Sequence, residues 1–334
     1  MTAMTDDTLP VTPRTIRDEM IAFAIMTALL LVVPLTGLYP FFVMQGLCFA
    51  LLACAFNLLI GYGGLLSFGH AMFLGTGGYV TAHAVKVWGV PPELGILIGI
   101  AASAGLGIIT GVVAIRRQGI YFAMVTLALA QMLYFVALEA KFTHGEDGIQ
   151  AVPRGKFLGL LDLSDTYTMY YFVLVIFILA FWLIYRTIHS PFGQVLKAIR
   201  ENEPRAISLG YRVDHYKLLA FTLSAALAGL AGSTKALVFQ LASLTDVDWR
   251  MSGQVVLMTL VGGVGTVFGP LVGAFILVTM ENYLAQFGSW VTVIQGLIFV
   301  VCVLTFRKGV VGEIAELIRR LRGERQSGSG GGHH

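Results

Sequence analysis

The residues whose types and spacing could bind a ligand are concentrated in one stretch, GYGGLLSFGHAMFLGTGGY, residues 61–79. This stretch has seven glycines in nineteen positions, with Ser67 and His70 among them. Glycines at this density can cradle a phosphate, let two helices pack closely, or break a helix. The first function belongs to an enzyme, whereas the other two suit a protein that moves its ligand.

A phosphate-binding loop is excluded by the residues around the glycines. No lysine in the chain is followed by serine or threonine, and Leu66 stands where G-x-G-x-x-G needs its third glycine. The chain also lacks H-E-x-x-H and G-x-S-x-G, and its three cysteines fit no zinc spacing. We therefore predict no catalytic residue, no metal and no cofactor, so any ATP must be bound by another chain.

Composition identifies the solvent of this protein. Hydrophobic residues make up 57% of the 334 residues and charged residues only 12%, about half the charged fraction of soluble domains. Lipid must therefore cover most of the surface. The excess of basic residues is typical of cytoplasmic loops in membrane proteins, so it does not indicate nucleic-acid binding.

Apolar runs predict an all-α, polytopic integral membrane protein of about ten transmembrane helices, some short or broken. Crossing the bilayer takes about 17 to 25 residues. The eighth run is too short to cross the bilayer unaided. The glycine-rich stretch after it must therefore either complete the crossing or form a re-entrant turn. The predicted spans are roughly 20–38, 42–60, 65–85, 94–115, 119–138, 167–186, 217–238, 253–264, 270–287 and 290–306.

Loop charges orient these spans. Sixteen of the 22 lysines and arginines fall in segments that lie on one side, and five fall in loops on the other. The positive-inside rule then places both termini in the cytoplasm. The predicted organisation is a cytoplasmic segment 1–19, a transmembrane permease domain 20–306, a cytoplasmic tail 307–326 and an expression tag 327–334.

Small residues at four-residue spacing predict close packing between two of the spans. We expect these two helices to be central in the bundle. In the fourth and seventh spans the small residues are Gly99, Ser103, Gly107 and Gly111, and Ala225, Gly229 and Ser233.

The predicted cytoplasmic loop, residues 187–216, has the pattern of two short helices. Ser190 is a capping residue and Pro191 suits the first helical position. Pro204 disfavours helix at Glu203 and should break it there, and Gly210 should end a second short helix. The loop could lie on the membrane surface or enter a groove on a soluble partner, and its charged corner favours the partner.

Three motifs of this chain resemble those of LivM-type permeases of branched-chain amino acid ABC transporters. The loop contains SPFGQVLKAIRENEPRAISLG, the glycine-rich region reads NLLIGYGGLLSFGHAMFLGTGGY, and residues 260–274 read LVGGVGTVFGPLVGA. The motifs occur in the family's order, and the resemblance spans about residues 41–306.

The resemblance implies a transport subunit of an importer that hydrolyses ATP elsewhere. Its implied partners are a homologous permease subunit, two cytoplasmic ABC ATPase subunits and a periplasmic substrate-binding protein, in the bacterial inner membrane. The implied solute is a branched-chain amino acid or a related small solute such as urea, an amide or an aromatic acid. The cytoplasmic loop would be the element that couples to the ATPase, through Pro191, Gly193, Arg200, Glu201, Asn202, Glu203, Pro204 and Gly210.

The predicted outer loop, residues 139–166, contains FTHGEDGIQAV, which resembles the family's outer-loop motif. His144 stands where the family often has glycine. The loop could dock the binding protein or simply be a solvated turn. The matching residues are Thr143, Gly145, Asp147 and Gly148.

Candidates for the solute pathway or a hinge are polar residues and glycines in otherwise apolar spans. A lone polar residue in a membrane helix more often bonds a neighbouring helix than a solute. Ser67 could cap the third span, and the glycines before it form either a hinge or a tight turn. The candidates are Asn57, Gly61, Gly63, Gly64, Ser67, His70 and Thr76.

An ion-coupled secondary transporter is the alternative function. Such carriers usually place ionisable residues in the middle of the membrane. Here His70, Lys235 and Glu281 are the candidates within predicted spans, the last two near the outer ends. This distribution favours a transporter driven from outside the membrane.

Overall fold

The computed structural model describes residues 13–37, 39–157, 159, 161–284, 286, 290–305 and 309–313. In this part of the chain the protein is helical apart from four two-residue strands, which confirms the all-α prediction. The helices are α1 Pro13–Val32, α2 Pro40–Asn57, α3 His70–Lys86, α4 Pro92–Ala114, α5 Ile120–Glu139, α6 Thr166–Ile188, α7 Pro191–Glu201, α8 Glu203–Ser208, α9 Val213–Phe239, α10 Trp249–Gly262, α11 Gly269–Leu284 and α12 Val291–Thr305.

A helix occupies each of the ten predicted spans. Among the described residues, five helical stretches are long and apolar enough to cross a bilayer. The eighth span is the 14-residue α10, and a non-helical turn at residues 263–268 joins it to α11. The five long stretches are Pro40–Tyr62, Pro92–Ala114, Ile120–Glu139, Thr166–Ile188 and Val213–Phe239.

Helix α2 is the centre of the bundle. It packs against α6, α9, α10 and α11, and nearly every residue from Val43 to Asn57 is buried. The sequence explains this position, because α2 is apolar on all faces, as a helix enclosed by other helices must be.

The predicted small-residue contact joins α3, α4 and α9 and is confirmed. A β-carbon on Gly107 would lie 2.6 Å from Cβ of Ala225, so the two helices touch through small residues. The Thr81 hydroxyl lies 2.8 Å from that of Ser233, which donates to the Gly77 carbonyl at 3.1 Å. These bonds tie the three helices together near their backbones.

The expectation that both helices are central is right for α9 and wrong for α4. Helix α9 is buried along most of its length. The opposite face of α4 is exposed, at Leu97, Ile109 and Val113. Its small residues cover one face only, and the other face carries the large apolar side chains that a lipid-facing helix needs.

The outer loop is fastened to the end of α9. Strand β1, Ile149–Gln150, pairs antiparallel with β4, Leu241–Ala242, and β2, Lys156–Phe157, pairs with β3, Leu161–Asp162. The next helix begins at the N-cap Asp165, whose pKa is lowered by hydrogen bonds from the Thr168 amide and hydroxyl.

Arg154 closes the C-terminal end of α9. It donates to the carbonyls of Leu237 at 3.3 Å and Val238 at 2.7 Å, and its guanidinium lies 5.2 Å from the ring of Phe41. Burial lowers the pKa of Arg154. A cation bonded to the last carbonyls of a helix also interacts favourably with the helix dipole.

Arg154→Ala is expected to loosen the outer loop, because buried α9 carbonyls would lose their charged donor. Such bonds contribute about 1.5–3 kcal/mol each. Limited proteolysis of the purified protein should show faster cleavage within residues 139–166. Lys156→Ala, at an exposed nearby position, is the matched control, and equal cleavage of the two variants would contradict the assignment.

Candidate coupling site and pathway

The turn from α6 into α7 has the predicted capping. Ser190 is the N-cap, and its hydroxyl accepts from the Gly193 amide at 3.4 Å. Pro191 occupies the first turn, where no internal amide partner is lost. A β-carbon on Gly193 would lie 2.6 Å from the Thr187 carbonyl oxygen, so this corner admits only glycine.

Helix α7 packs its apolar stripe inward. Leu196 and Ile199 are buried, and the ring of Phe192 stacks on Tyr216 of α9 with centroids 5.8 Å apart. The apolar residues of α7, which recur at i, i+3, i+4 and i+7 from Phe192, therefore face inward, and α7 rests on the membrane helices of its own chain.

The break between α7 and α8 lies at Asn202, not at Glu203 as predicted. Asn202 has an extended φ of −155° and its side chain accepts from the Arg205 amide at 3.0 Å, which makes it the N-cap of α8. Glu203 and Pro204 then form the first turn, where proline is tolerated. Gly210, with a φ of +87°, follows the end of α8 as predicted.

Arg200 connects α7 to the glycine-rich region. Its guanidinium Nη1 donates to the carbonyl of Gly61. Gly64 lies under the same side chain, because a β-carbon there would be 2.9 Å from Cγ of Arg200. Lys197 adds a second contact, since its Nζ lies 5.4 Å from the ring centroid of Tyr62. The loop that contains α7 and α8 therefore contacts the chain where α2 ends.

The end of α2 is a joint with a π-helical turn, Leu58–Tyr62. Asn57 fixes this joint to the turn between α10 and α11. Its Nδ2 donates to the Thr266 carbonyl at 2.9 Å, and its Oδ1 accepts from the Gly265 amide at 2.9 Å. Gly61 must be small, since a β-carbon would lie 2.8 Å from the Gly265 nitrogen.

All three sequence motifs therefore meet at one place. We name this place the coupling corner and define it by Asn57, Gly61, Gly64, Arg200 and Gly265. The sequence analysis singled out four of these residues and proposed Asn57, Gly61 and Gly64 for a pathway or hinge, but it missed Gly265 and the contacts among them.

Helix α3 begins at His70, later than the predicted start, and Ser67 does not cap it. Gly69 is the N-cap without a side-chain cap, and Ser67 accepts from the Gly69 amide at 3.2 Å. Neighbouring helices supply the missing acceptors. Thr126 accepts from the Phe68 amide at 3.1 Å, and Ser252 accepts from the Ala71 amide at 3.0 Å.

His70 joins α2, α3 and α9. Its Nε2 lies 2.8 Å from the Ser224 hydroxyl, which donates to the Ala55 carbonyl at 2.6 Å. Because that hydroxyl has one proton, His70 Nε2 must be the donor. The ring is buried between Phe56 and Phe73, with centroids 4.9 and 5.8 Å away. His70 therefore links the three helices through hydrogen bonds and ring contacts.

Three further polar residues in the spans have partners. Thr76 donates to the Met72 carbonyl of its own helix at 2.6 Å. Lys235 forms an ion pair with Asp246, and Gln254 donates to the Glu281 carboxylate at 2.6 Å. The Lys235 and Gln254 contacts join separate segments of the bundle, which matches the general behaviour of polar groups in membrane helices, whereas the Thr76 bond stays within α3.

The family described as branched-chain amino acid transport system / permease component matches residues 39–303, which include the whole coupling corner. The chain belongs to this family. It is an ABC-type permease, and its relatives in the family are transport subunits.

Individual relatives of the permease are moderately similar in sequence. It is 26% identical to the high-affinity branched-chain amino acid permease LivM of Salmonella typhimurium, over 82% of this chain and 72% of that protein. It is 28% identical to the ribose import permease RbsC of Bacillus subtilis, over 75% and 84%. It is 29% identical to the autoinducer 2 import permease LsrC of Klebsiella pneumoniae, over 60% and 58%. No solved structure matches the chain significantly.

The outer loop of the permease separates its four candidate residues into two groups. Thr143 is buried and donates to the Ala137 or Ala140 carbonyl, at 2.5 and 2.6 Å, which closes the end of α5. Gly145 and Gly148 allow the turns that follow. Asp147 alone has an exposed side chain, so it is the residue of this group that a partner could reach.

Gly64→Ala should impair the permease and Gly63→Ala should not. Gly64 has a φ of +68°, which costs an alanine about 1–2 kcal/mol, and its β-carbon would press on Arg200. Gly63 has a φ of −94°, and no atom lies within 4 Å of the place that a β-carbon would take. Thermal stability and uptake by cells that express each variant should separate the two. Equal behaviour would contradict the role of Gly64.

Proposed function

We propose that this permease is the membrane subunit of an ATP-driven importer for branched-chain amino acids or a related small solute such as urea, an amide or an aromatic acid. The observation that supports this function is the coupling corner. A cytoplasmic helix pair that is bonded through Arg200 to the end of the central helix α2 can carry a displacement from a soluble ATPase into the membrane.

The coupling element has an inner and an outer side in this proposal. Gly193 is buried at the start of α7. Arg200 is exposed, but its guanidinium donates back to the Gly61 carbonyl of the permease. Glu201, Asn202 and Pro204 are exposed at the corner between α7 and α8. Glu203 is partly buried and pairs with Lys217 at 2.7 Å. The exposed corner would contact the ATPase, and the Glu203–Lys217 pair would hold it on α9.

The proposed partners would supply the functions for which this chain has no sequence motif. Two cytoplasmic ABC ATPase subunits would supply ATP hydrolysis, a homologous permease subunit would complete the pathway, and a periplasmic binding protein would deliver solute to the outer loop near Asp147. The permease would lie in the bacterial inner membrane with both termini in the cytoplasm. The proposed domain 20–306 contains the coupling corner. Residues 1–12 and 314–334 lie outside the described residues.

The apolar character of the helices supports a small, weakly polar solute. The polar candidates within the spans are bonded to other parts of the chain, so a solute would meet few strong hydrogen-bonding groups. Competition between labelled leucine and urea, short amides and aromatic acids in an uptake assay would identify the solute. A tenfold preference corresponds to about 1.4 kcal/mol.

Co-purification tests the function as a whole. Pull-down of the tagged chain in mild detergent, followed by mass spectrometry, should recover an ATP-binding subunit. Uptake into proteoliposomes should then require that subunit and ATP. Uptake by the permease alone, driven by a proton or sodium gradient, would instead establish an ion-coupled secondary transporter.

Glu201→Lys with Glu203→Lys is expected to uncouple ATP hydrolysis from uptake. The reversal would place two cations where the ATPase is proposed to dock and would break the Glu203–Lys217 pair. ATPase activity and uptake should be measured on the same proteoliposomes. Glu201→Lys alone tests docking without disturbing the fold, because Glu201 is exposed, and Asp214→Lys is an exposed control. Normal coupled uptake by the double variant would refute the docking assignment.

A further inference from the structure

A cavity of about 530 Å³ lies between α1 and α6, beside the first residues of α7. One wall is apolar, with Met20, Phe23 and Trp182, and the other wall is polar, with Tyr185, Arg186 and His189. None of these residues belongs to the coupling corner. The cavity nevertheless touches Ser190 and Pro191, the residues that start the coupling helix.

The apolar wall continues into the lipid-facing surface of the bundle. On α6, Leu179 is 61% exposed and Trp182 is 54% exposed, and the two residues are three apart on one face. On α1, Ile25 and Leu29 are likewise exposed. Exposed apolar side chains on both helices therefore lead from the lipid-facing surface to the cavity, and we call this surface the groove.

The polar wall carries positive charge without an internal counter-ion for Arg186. Among the described residues Arg186 forms no ion pair. His189 Nδ1 faces the Tyr185 carbonyl at 2.9 Å, and its Nε2 faces the Glu19 carboxylate at 3.2 Å. Both neighbours are hydrogen-bond acceptors, and they hold the His189 ring in place at this wall of the cavity.

Tyr185 provides a second donor at the same wall. Its hydroxyl oxygen is buried and makes no hydrogen bond of normal geometry within the described part of the chain, although the Glu19 carboxylate lies nearby. A ligand with an acceptor oxygen would give this hydroxyl a hydrogen bond of normal geometry. Arg186 and Tyr185 are consecutive residues, so the two donors lie at one end of the apolar groove.

We propose that this cavity binds a glycerophospholipid through its phosphate group. Arg186 and the Tyr185 hydroxyl would bind phosphate oxygens, for which a guanidinium is well suited. The acyl chains would follow the groove past Phe23 and Trp182, and aromatic side chains are typical of this depth at a membrane interface. The lipid would belong to the cytoplasmic leaflet. This choice of leaflet rests on the orientation given under the proposed function.

The bound lipid would brace the coupling helix. Its head group would lie against Ser190 and Pro191, where α6 turns into α7, so the lipid would limit the angle between the membrane helix and the coupling helix. Coupling would then depend on lipid composition. The contacts that define the coupling corner do not include the lipid.

The test uses the full chain, purified in detergent, stripped of lipid and titrated with phosphatidylglycerol. We expect Tm to rise by about 3 °C or more at saturation and native mass spectrometry to detect one bound lipid. Arg186→Gln should weaken binding by about tenfold. Arg116→Gln removes an exposed cation from the loop between α4 and α5 and should bind lipid like the wild type.

Two further measurements test the two halves of the site. Trp182→Ala keeps the cation but shortens the apolar wall, and it should also weaken binding. Inorganic phosphate alone should give no comparable stabilisation, because it does not use the groove. The proposal is overturned if phosphate alone stabilises the chain as much, if phosphatidylglycerol has no effect, or if Arg186→Gln and Arg116→Gln bind equally. These outcomes do not depend on ATP or on solute uptake, so they are separate from a failure of the proposed function.

Discussion

Replacing Arg200 with alanine is expected to abolish ATP-driven uptake while leaving the protein folded and in the membrane. Arg200 donates to the Gly61 carbonyl and packs over Gly64, and no other side chain among the described residues bonds to that carbonyl. A hydrogen bond from a charged donor contributes about 1.5–3 kcal/mol. Its loss would reduce any coupling that passes through it by about 10- to 100-fold.

The fold should survive this substitution because α7 keeps its other anchors. The buried Leu196 and Ile199 and the stack of Phe192 on Tyr216 do not involve Arg200. Binding of the ATPase should therefore persist in a pull-down, whereas uptake per ATP hydrolysed should fall. Glu201→Lys is expected to have the opposite effect, because it should weaken binding of the ATPase before it changes the uptake per ATP hydrolysed.

Arg205→Ala is the matched control for Arg200→Ala. Arg205 has the same charge, lies in the next helix of the same loop and is exposed. Uptake by Arg205→Ala should be close to that of the wild type. If Arg200→Ala transports at the wild-type rate with the wild-type ATP requirement, the coupling corner has no role in transmission.

The sequence predicts the elements well where one local rule determines them. Bilayer thickness sets the length of the spans, so α6 was expected at residues 167–186 and is found at Thr166–Ile188. Ser190 and Gly210 mark the limits of the α7–α8 pair through backbone rules that act over a few residues. The same is true of the small residues that face each other on α4 and α9.

The coupling corner could not be assembled from the sequence because its bonds join residues far apart in the chain. Asn57 meets Gly265 and Thr266, which lie 208 and 209 positions away. A single asparagine in an apolar helix looks the same whether it binds a solute or a distant backbone. Only the packing of α2 against the α10–α11 turn decides between them.

Ser67 shows why the start of α3 was placed wrongly. A serine before an apolar run usually caps a helix, but here the helix-starting amides find acceptors on Thr126 and Ser252. Tertiary contacts therefore replaced the local cap and allowed the chain from residue 64 to 69 to remain non-helical. Most of that irregular segment is buried or partly buried in protein, the setting in which membrane proteins tolerate non-helical backbone.

Gly77→Leu is expected to prevent the bundle from assembling, since the close contact of α3 with α9 is made of backbone. A β-carbon at Gly77 would lie 2.7 Å from Cα of Gly229, and a larger side chain would force the two helices apart. The Ser233 bond to the Gly77 carbonyl would be lost with it. Overpacking costs about 1–3 kcal/mol even where side chains can move aside, and a backbone neighbour cannot move aside.

The control is Gly105→Leu, in the neighbouring helix α4. No atom lies within 4 Å of a β-carbon at Gly105, so the same substitution there should be accepted by the lipid-facing side of the bundle. Size-exclusion chromatography in detergent and thermal unfolding should show aggregated or strongly destabilised protein for Gly77→Leu only. Similar stability for both variants would mean that α3 and α9 can separate at no cost, and the assignment of this glycine to helix packing would fail. Gly77 lies outside the coupling corner. Gly77→Leu should therefore prevent assembly, whereas Arg200→Ala should leave the protein assembled and reduce coupling, so the two variants separate helix packing from coupling.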